Sequence, residues 1–397
     1  MKALMKSPDP APPCDHRLDD LGRRFGPNLR AEADDRLRRR LAACRNLLIF
    51  GAGQNGAEVL RVMRRAGLEP AAFLDDTPEK IGARKDGIVI RASDAARDLD
   101  GAVAVVSVFS PTADFLPIAA RLSALGLEPV SLFSFLSACG ELPFYFVDSA
   151  DGVTAALPDL RWLDARLADA TSRDLLAAHV EFRLTLRHAV LPPWSAERLP
   201  PPADWTRFEM VDAGAFDGDT LVPLVLSHGD RLSGAVAIEP DPMTFGRLEK
   251  SLQAVQAQAG GRLKAVRAAV DRVGGQRMFA NAGNPGSGFA QQGMLVDTVS
   301  IDELVESECD PDSRLYIKFD VEGAEAAALA GAARTIAERR PFLSIAAYHR
   351  PDDLWALAQQ VCAMDDGYRF LLRAHGADGA DLNLYGLPPD HLGGVGA

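Results

Sequence analysis

Two doubly wound α/β units separated by a helical stretch are predicted by three features of this 397-residue chain. A short apolar strand runs into a glycine turn and then a helix twice, at IFGAGQNG from Ile49 and at VDAGAFDGDT from Val211. Apolar β-branched runs alternate with helical spacing on both sides of a proline-rich break, LPPWSAERLPPPADW from Leu191, which implies parallel sheets. The last two runs, YRFLLRAH and DLNLYGLP, are separated only by GADGA and read as a hairpin, so the second sheet ends antiparallel.

The length exceeds one ordinary core, and the rhythm divides it in four. Residues 1–45 are a Pro-, Asp- and Arg-rich tail followed by a polar helix near Leu29–Cys44. Residues 46–148 form the first α/β unit, 149–204 a helical connector and proline-rich linker, and 205–390 the second unit. The formal charge of -12 argues against nucleic acid, whose phosphates need a concentrated basic face. The opening MKALMKSPDPAPPCDHR has no apolar run of signal-peptide length, and no later segment reaches the roughly 20 apolar residues that span a bilayer, so a cytoplasmic location is expected. Cys14, Cys44, Cys139, Cys309 and Cys362 are scattered and lack CxxC spacing, which points to reduced thiols rather than a zinc site or disulfide framework.

In the first unit, Gly51, Gly53 and Gly56 form a GxGxxG turn between strand LLIF and helix EVLRVMRRAG, with Asp75 and Asp76 about 20 residues later. Taken strictly this is a dinucleotide site with Asp75 on the ribose, and it makes an NAD(P)-dependent oxidoreductase the first alternative function. The stretch FLDDTPEKIGARKDGIVI, however, resembles the N-terminal nucleotide-sugar-binding domains of sugar acyltransferases, over about Asn46 to Leu136. That resemblance implies a nucleotide-linked sugar, or a docking role beside a glycan pathway. A Rossmann-like turn with no ligand stays open beside both.

In the second unit, Asp212, Gly214 and Gly218 make a DxGxxxG turn, where glycines let the backbone fold tightly beside a ligand. Glu239 ends the next strand, AVAIEP, where a carboxylate can accept hydrogen bonds from both ribose hydroxyls of an adenosine. From VDAGAFDGDT through IEPDP, TVSIDEL, IKFDVEGAE and PFLSIAAYH the chain resembles the FkbM family of methyltransferases, over most of residues 205–388. The resemblance implies a class I methyltransferase fold, S-adenosylmethionine as donor, and a hydroxyl of a sugar, glycan or secondary metabolite as small-molecule acceptor. Carried over by residue, it implies that Asp212, Gly214, Phe216 and Gly218 line the methionine end of the cofactor. It places Glu239 on the ribose and the adenine near Ala269, Val270 and Asp271. A non-catalytic binding module that has kept the methyltransferase shape is the remaining alternative.

A hydroxyl acceptor must lose its proton, and Asp320, Glu322, Glu325 and His349 all stand at carboxyl ends of predicted strands. Asp320 leaves its strand first, and in the family pattern it belongs to the segment that faces the transferred methyl. It is therefore the preferred base or positioning residue, and His349 the second candidate. Glu322 and Glu325 also suit the start of a helix, where negative charge offsets the macrodipole. Two acids and a histidine can gather a divalent metal, but no spacing here is diagnostic of a ligand set, so no metal is assigned. Ser287, Gly288 and Phe289, in a glycine-rich insertion at the same sheet edge, are candidate acceptor contacts. His375 and Tyr385 read as structural residues of the final hairpin.

Overall fold

The computed structural model describes residues 17–97, 99–280, 288–289 and 293–389. Its first sheet runs Arg84–Lys85, Ile88–Arg91, Ala72–Leu74, Leu47–Phe50, Val103–Val106 and Glu128–Ser131 in spatial order. It is parallel except for the hairpin at the Arg84 edge. LLIF and VAVV are apolar throughout because every one of their residues is buried, as a strand covered on both faces requires. The polar helix spans Pro27–Ala42 and is preceded by another at Arg17–Arg24.

The second sheet contains β1 (Phe208–Ala213), β2 (Leu232–Ile238), β3 (Arg262–Val266), β4 (Leu315–Phe319), β5 (Phe342–Ala346), β6 (Arg369–Ala374) and β7 (Leu382–Leu387). Its order is β6-β7-β5-β4-β1-β2-β3, and β7 is antiparallel to both β5 and β6, as the short GADGA link demands. Strand order reverses between β1 and β4, which pair in register from Leu315↔Glu209 to Phe319↔Ala213. A crevice opens where neighbouring strands send their connections to opposite sides, so the residues just past Ala213 and Phe319 are where this topology places a ligand. The glycine-rich insertion contributes to a small separate sheet of Ala269–Val270, Met294–Val299, Gly275–Ala280 and Gly288–Phe289.

The helices read from the sequence as a connector, Ala150–Ala155, Leu157–Asp164 and Ala170–Thr185, pack as a layer on the second sheet. Leu160, Leu163, Leu176 and Val180 share one core with Ile317, Leu343, Leu372 and Leu384. Ser172 is fully buried and its Oγ accepts the Leu372 N–H at 2.8 Å, while the Arg373 guanidinium reaches Asp169 at 2.6 Å. Sequence periodicity shows that a helix has an apolar face, not which sheet covers it.

The proline-rich stretch takes no regular structure but is firmly held. Ser195 N–H donates to Ala374 O, and the buried His375 and Tyr385 bond each other at 2.7 Å and reach the stretch through Ser195 O and Leu199 N–H. A loop of the first unit docks on the β6–β7 turn: Ala377 N–H donates to Pro111 O at 2.7 Å and Phe115 N–H to Asp378 Oδ2 at 2.9 Å. Cys44, Cys139, Cys309 and Cys362 are free thiols; Cys14 lies outside the described residues. No helix among the described residues is long and apolar enough to cross a membrane.

Candidate active site

The end of β1 is shaped by close approach to the end of β4. Gly214 has φ +79, and a Cβ there would lie 1.8 Å from the Asp320 carbonyl oxygen, so no other residue fits without moving a strand. Gly214 and Ala215 both donate to Ile238 O, which ties the turn to β2. Phe216, at φ +47, then directs its N–H to Glu239 Oε2 at 3.1 Å, and Asp241 N–H meets Glu239 Oε1 at 2.9 Å. Glu239 is thus fixed by one backbone donor on each oxygen. Burial still pushes its carboxyl up to about 7, against the lowering effect of those bonds.

Beneath the turn lies an ion pair that the sequence motifs do not single out. Lys318, in the middle of the apolar strand LYIKF, is 2% exposed, and Asp212 beside it is wholly buried. Lys318 Nζ donates to Asp212 Oδ1 at 3.1 Å and to Gly214 O at 2.9 Å, and stands 3.7 Å from Asp320 Oδ2. Burial pushes Asp212 up to about 6 despite the lysine charge. Burial also works against the Lys318 charge, but Asp212 and Asp320 outweigh it and keep the ammonium above its ordinary range. A lysine inside a fully apolar strand is the signal that could have revealed this pair.

The four residues proposed for the reacting centre come together. His349, just past β5, bonds Glu325 Oε1 through Nδ1 at 2.9 Å, and its Nε2 faces Glu322 Oε2 at 3.5 Å and Asp320 Oδ1 at 3.7 Å. Burial lowers the imidazole pKa, but the three carboxylates outweigh it and raise it to about 10. The three carboxylates thus favour the charged ring, the form that donates a proton rather than accepts one. Asp320 and Glu322 do offer basic oxygens: burial raises the pKa of both, Glu322 to about 7. Glu325 is fully buried and takes the Val321 and Gly323 N–H groups as well as His349. Burial raises its pKa but the His349 charge and hydrogen bond lower it further, so it braces the cluster as a carboxylate.

Of these groups Glu239, Asp320 and Glu322 line one pocket, while Asp212, Lys318, Glu325 and His349 do not. Ile238, Pro240, Ala268, Ala269 and Val270 give it apolar lining beside Gly214, Phe216 and Glu239, and Asp320, Glu322 and Tyr348 line it too. Arg198 of the proline-rich stretch and Asp381 of the β6–β7 hairpin also line it, joined by a two-bond ion pair of 3.1 and 2.8 Å, as does Pro111 of the first unit. Gly218, at φ +96, closes the glycine turn over Val222 but does not line the pocket. Asp271 does not line it either: its oxygens take Arg272 N–H at 2.8 Å and Arg277 Nη1 at 2.6 Å. Ser287 lies outside the described residues, and Gly288 and Phe289 form a two-residue strand paired with Phe279 and Ala280.

The first unit's glycine turn is built differently. Gly51 has φ +100, and a Cβ on Gly56 would lie 2.1 Å from Gly51 O, which accounts for both glycines as packing requirements; Gly53 has open space around it. Asp75 accepts Ala52 N–H at 2.9 Å, Thr77 N–H at 3.0 Å and Lys80 Nζ at 2.8 Å. Burial raises its pKa, but the Lys80, Thr77 and Ala52 bonds together hold it well below the usual carboxylate range. Asp75, expected on a ribose, spends its oxygens on bracing its own loop and tying it to the glycine turn.

A seven-stranded sheet with an inserted antiparallel β7, and an acid at the end of β2 facing a glycine turn at the end of β1, define an α/β domain of methyltransferase type. Residues 212–376, within the second unit, match the sequence model of the methyltransferase FkbM domain. The crystal structure of methyltransferase FkbM from Methylobacillus flagellatus KT superposes with a TM-score of 0.71 at 24% identity, over 93% of this chain and 100% of that one, so the fold is shared across both units. Comparison with curated proteins gives no match.

Removing the Lys318 charge tests the buried pair. Lys318→Met leaves Asp212 without a counter-charge and is expected to destabilise the protein by about 3–5 kcal/mol in urea unfolding, most of it recovered in Lys318→Met with Asp212→Asn. A loss below about 1 kcal/mol, the range of an exposed pair, contradicts the assignment.

Proposed function

We propose that this chain is a cytoplasmic S-adenosylmethionine-dependent O-methyltransferase acting on a hydroxyl of a sugar, glycan or secondary metabolite. The observation that carries the reading is one pocket at one strand edge. It joins an apolar lining and a fixed carboxylate, Glu239, to a second group of carboxylates, Asp320 and Glu322. The methyltransferase FkbM domain over residues 212–376 supports the same class of chemistry.

The donor set suits an adenosyl ligand. Each Glu239 oxygen already has one backbone N–H and keeps a further lone pair for a ribose hydroxyl, while Ile238 and Ala268–Val270 offer an apolar surface for a purine. When bound, S-adenosylmethionine supplies a methyl group already activated by the sulfonium charge. What remains for the chain is to hold the acceptor, exclude water and receive one proton. Asp320 receives it: the raised pKa strengthens the base, and Lys318 and the His349 ring fix the carboxylate from two sides. Arg198 and Asp381 offer polar atoms to further hydroxyls of the acceptor, and Pro111 of the first unit bounds the space it occupies.

Titration of the intact chain with S-adenosylhomocysteine is expected to show one site that Glu239→Ala removes. Ribose hydroxyls favour the ionised Glu239, whose pKa is about 7, so affinity should rise about tenfold between pH 6 and pH 8 and become flat in Glu239→Gln. Binding that persists in Glu239→Ala would overturn the cofactor assignment. Asp320→Asn should lower kcat by about 10²–10⁴-fold while keeping S-adenosylhomocysteine affinity, and retained turnover would remove Asp320 from the role of base.

A further inference from the structure

We propose that His349, Asp320 and Glu322 form a divalent-cation site at the acceptor end of the pocket, with Glu325 as the group that orients the histidine. The His349 side chain is 3% exposed, and its Nε2 has no hydrogen-bond partner among the described residues. That nitrogen points at Glu322 Oε2, 3.5 Å away, and Asp320 Oδ1, 3.7 Å away. Both spacings are long for a hydrogen bond. They are close to what two ligands of one ion require, since donors bonded at about 2.1 Å in tetrahedral or octahedral geometry lie roughly 3.0–3.4 Å apart. Among the described residues, Asp320 and His349 belong with Glu325 to a group whose ligating atoms fall within 4.8 Å of one another, and Glu322 joins them through its 3.5 Å approach to Nε2.

The surroundings have the form of a metal site's supporting shell. His349 Nδ1 is bonded to Glu325 Oε1 at 2.9 Å, and Glu325 is itself held by Val321 N–H at 2.8 Å, so the ring is oriented with Nε2 toward the two other carboxylates. A histidine that ligates a metal is regularly oriented by a carboxylate on its second nitrogen in this way. Lys318 approaches the Oδ2 atom of Asp320 and leaves Oδ1 to the site. Three carboxylates converge on a single ring, and a divalent ion in place of the Nε2 proton answers that excess of negative charge. One imidazole nitrogen with two carboxylate oxygens suits a first-row ion such as Mn²⁺. Asp320 and Glu322 line the pocket beside Tyr348, so the ion's open positions face the acceptor. What the ion does there, holding the acceptor oxygen while Asp320 keeps Oδ2 for the proton, rests on the methyltransferase reading; its binding does not.

The test is titration of the intact chain with Mn²⁺ in the absence of any cofactor, followed by calorimetry and by the electron paramagnetic resonance of free Mn²⁺. One site is expected, weakened at least tenfold in Glu322→Gln and lost in His349→Ala, with Glu325→Gln lowering affinity by about 10–100-fold. S-adenosylhomocysteine titration and thermal unfolding of the same variants show that they are folded. No Mn²⁺ binding at millimolar concentration, or binding unchanged in both Glu322→Gln and His349→Ala, overturns the site. Variant-sensitive Mn²⁺ binding by a chain that ignores S-adenosylhomocysteine supports the cation site and counts against the cofactor reading instead.

Discussion

The buried pair between Lys318 and Asp212 sets the geometry on which the rest of the pocket depends. It crosses from β4 to β1 at the point where strand order reverses, and the lysine's second bond, to Gly214 O, fixes the first residue of the glycine turn. Burying two charges costs several kcal/mol each, at about the scale of their mutual attraction, so a well-packed apolar pair could hold these strands as firmly. What an apolar pair could not do is place a positive charge 3.7 Å from Asp320 while drawing Gly214 into line. The contact of Gly214 with the Asp320 carbonyl then brings the cofactor turn and the proposed base onto neighbouring strand ends.

The two α/β units show how one pattern serves two ends. Each has a strand, a glycine turn, a helix and an acid at the end of the next strand. In the first unit the acid is closed off by the lysine five residues beyond it, and Asp75 makes two bonds inside its own loop and a third to Ala52 N–H of the glycine turn. In the second, Glu239 is held by backbone N–H groups alone and stays on the pocket wall. The difference lies in how many of the acid's lone pairs the protein consumes, which a motif does not record. The first unit still borders the pocket, through Pro111 and the loop that docks on the hairpin turn.

Local signals made much of this legible. LLIF and VAVV are apolar because their residues are buried, and the five-residue GADGA link permits only an antiparallel return. IKFDVEGAE and PFLSIAAYH put Asp320, Glu322, Glu325 and His349 at the carboxyl ends of predicted strands, and the four do meet. The rest depends on contacts between distant segments. Arg198 sits in a stretch whose prolines read only as a break, and its partner Asp381 is 183 residues away. Asp271 stands beside the apolar lining in sequence, yet Arg277 in the next strand turns it aside. The His349 charge is likewise set by carboxylates on another strand end, so a residue type suited to a base becomes a cation until something displaces its proton.

The central claim is that the second glycine turn, not the first, holds the cofactor, and hydrogen–deuterium exchange of the intact chain with and without S-adenosylhomocysteine tests it most directly. Slower exchange is expected at residues 213–219, 239–241 and 268–271, with 51–56 and 75–80 unchanged. Protection confined to 51–56 and 75–80 would contradict the claim and assign the nucleotide site to the first unit.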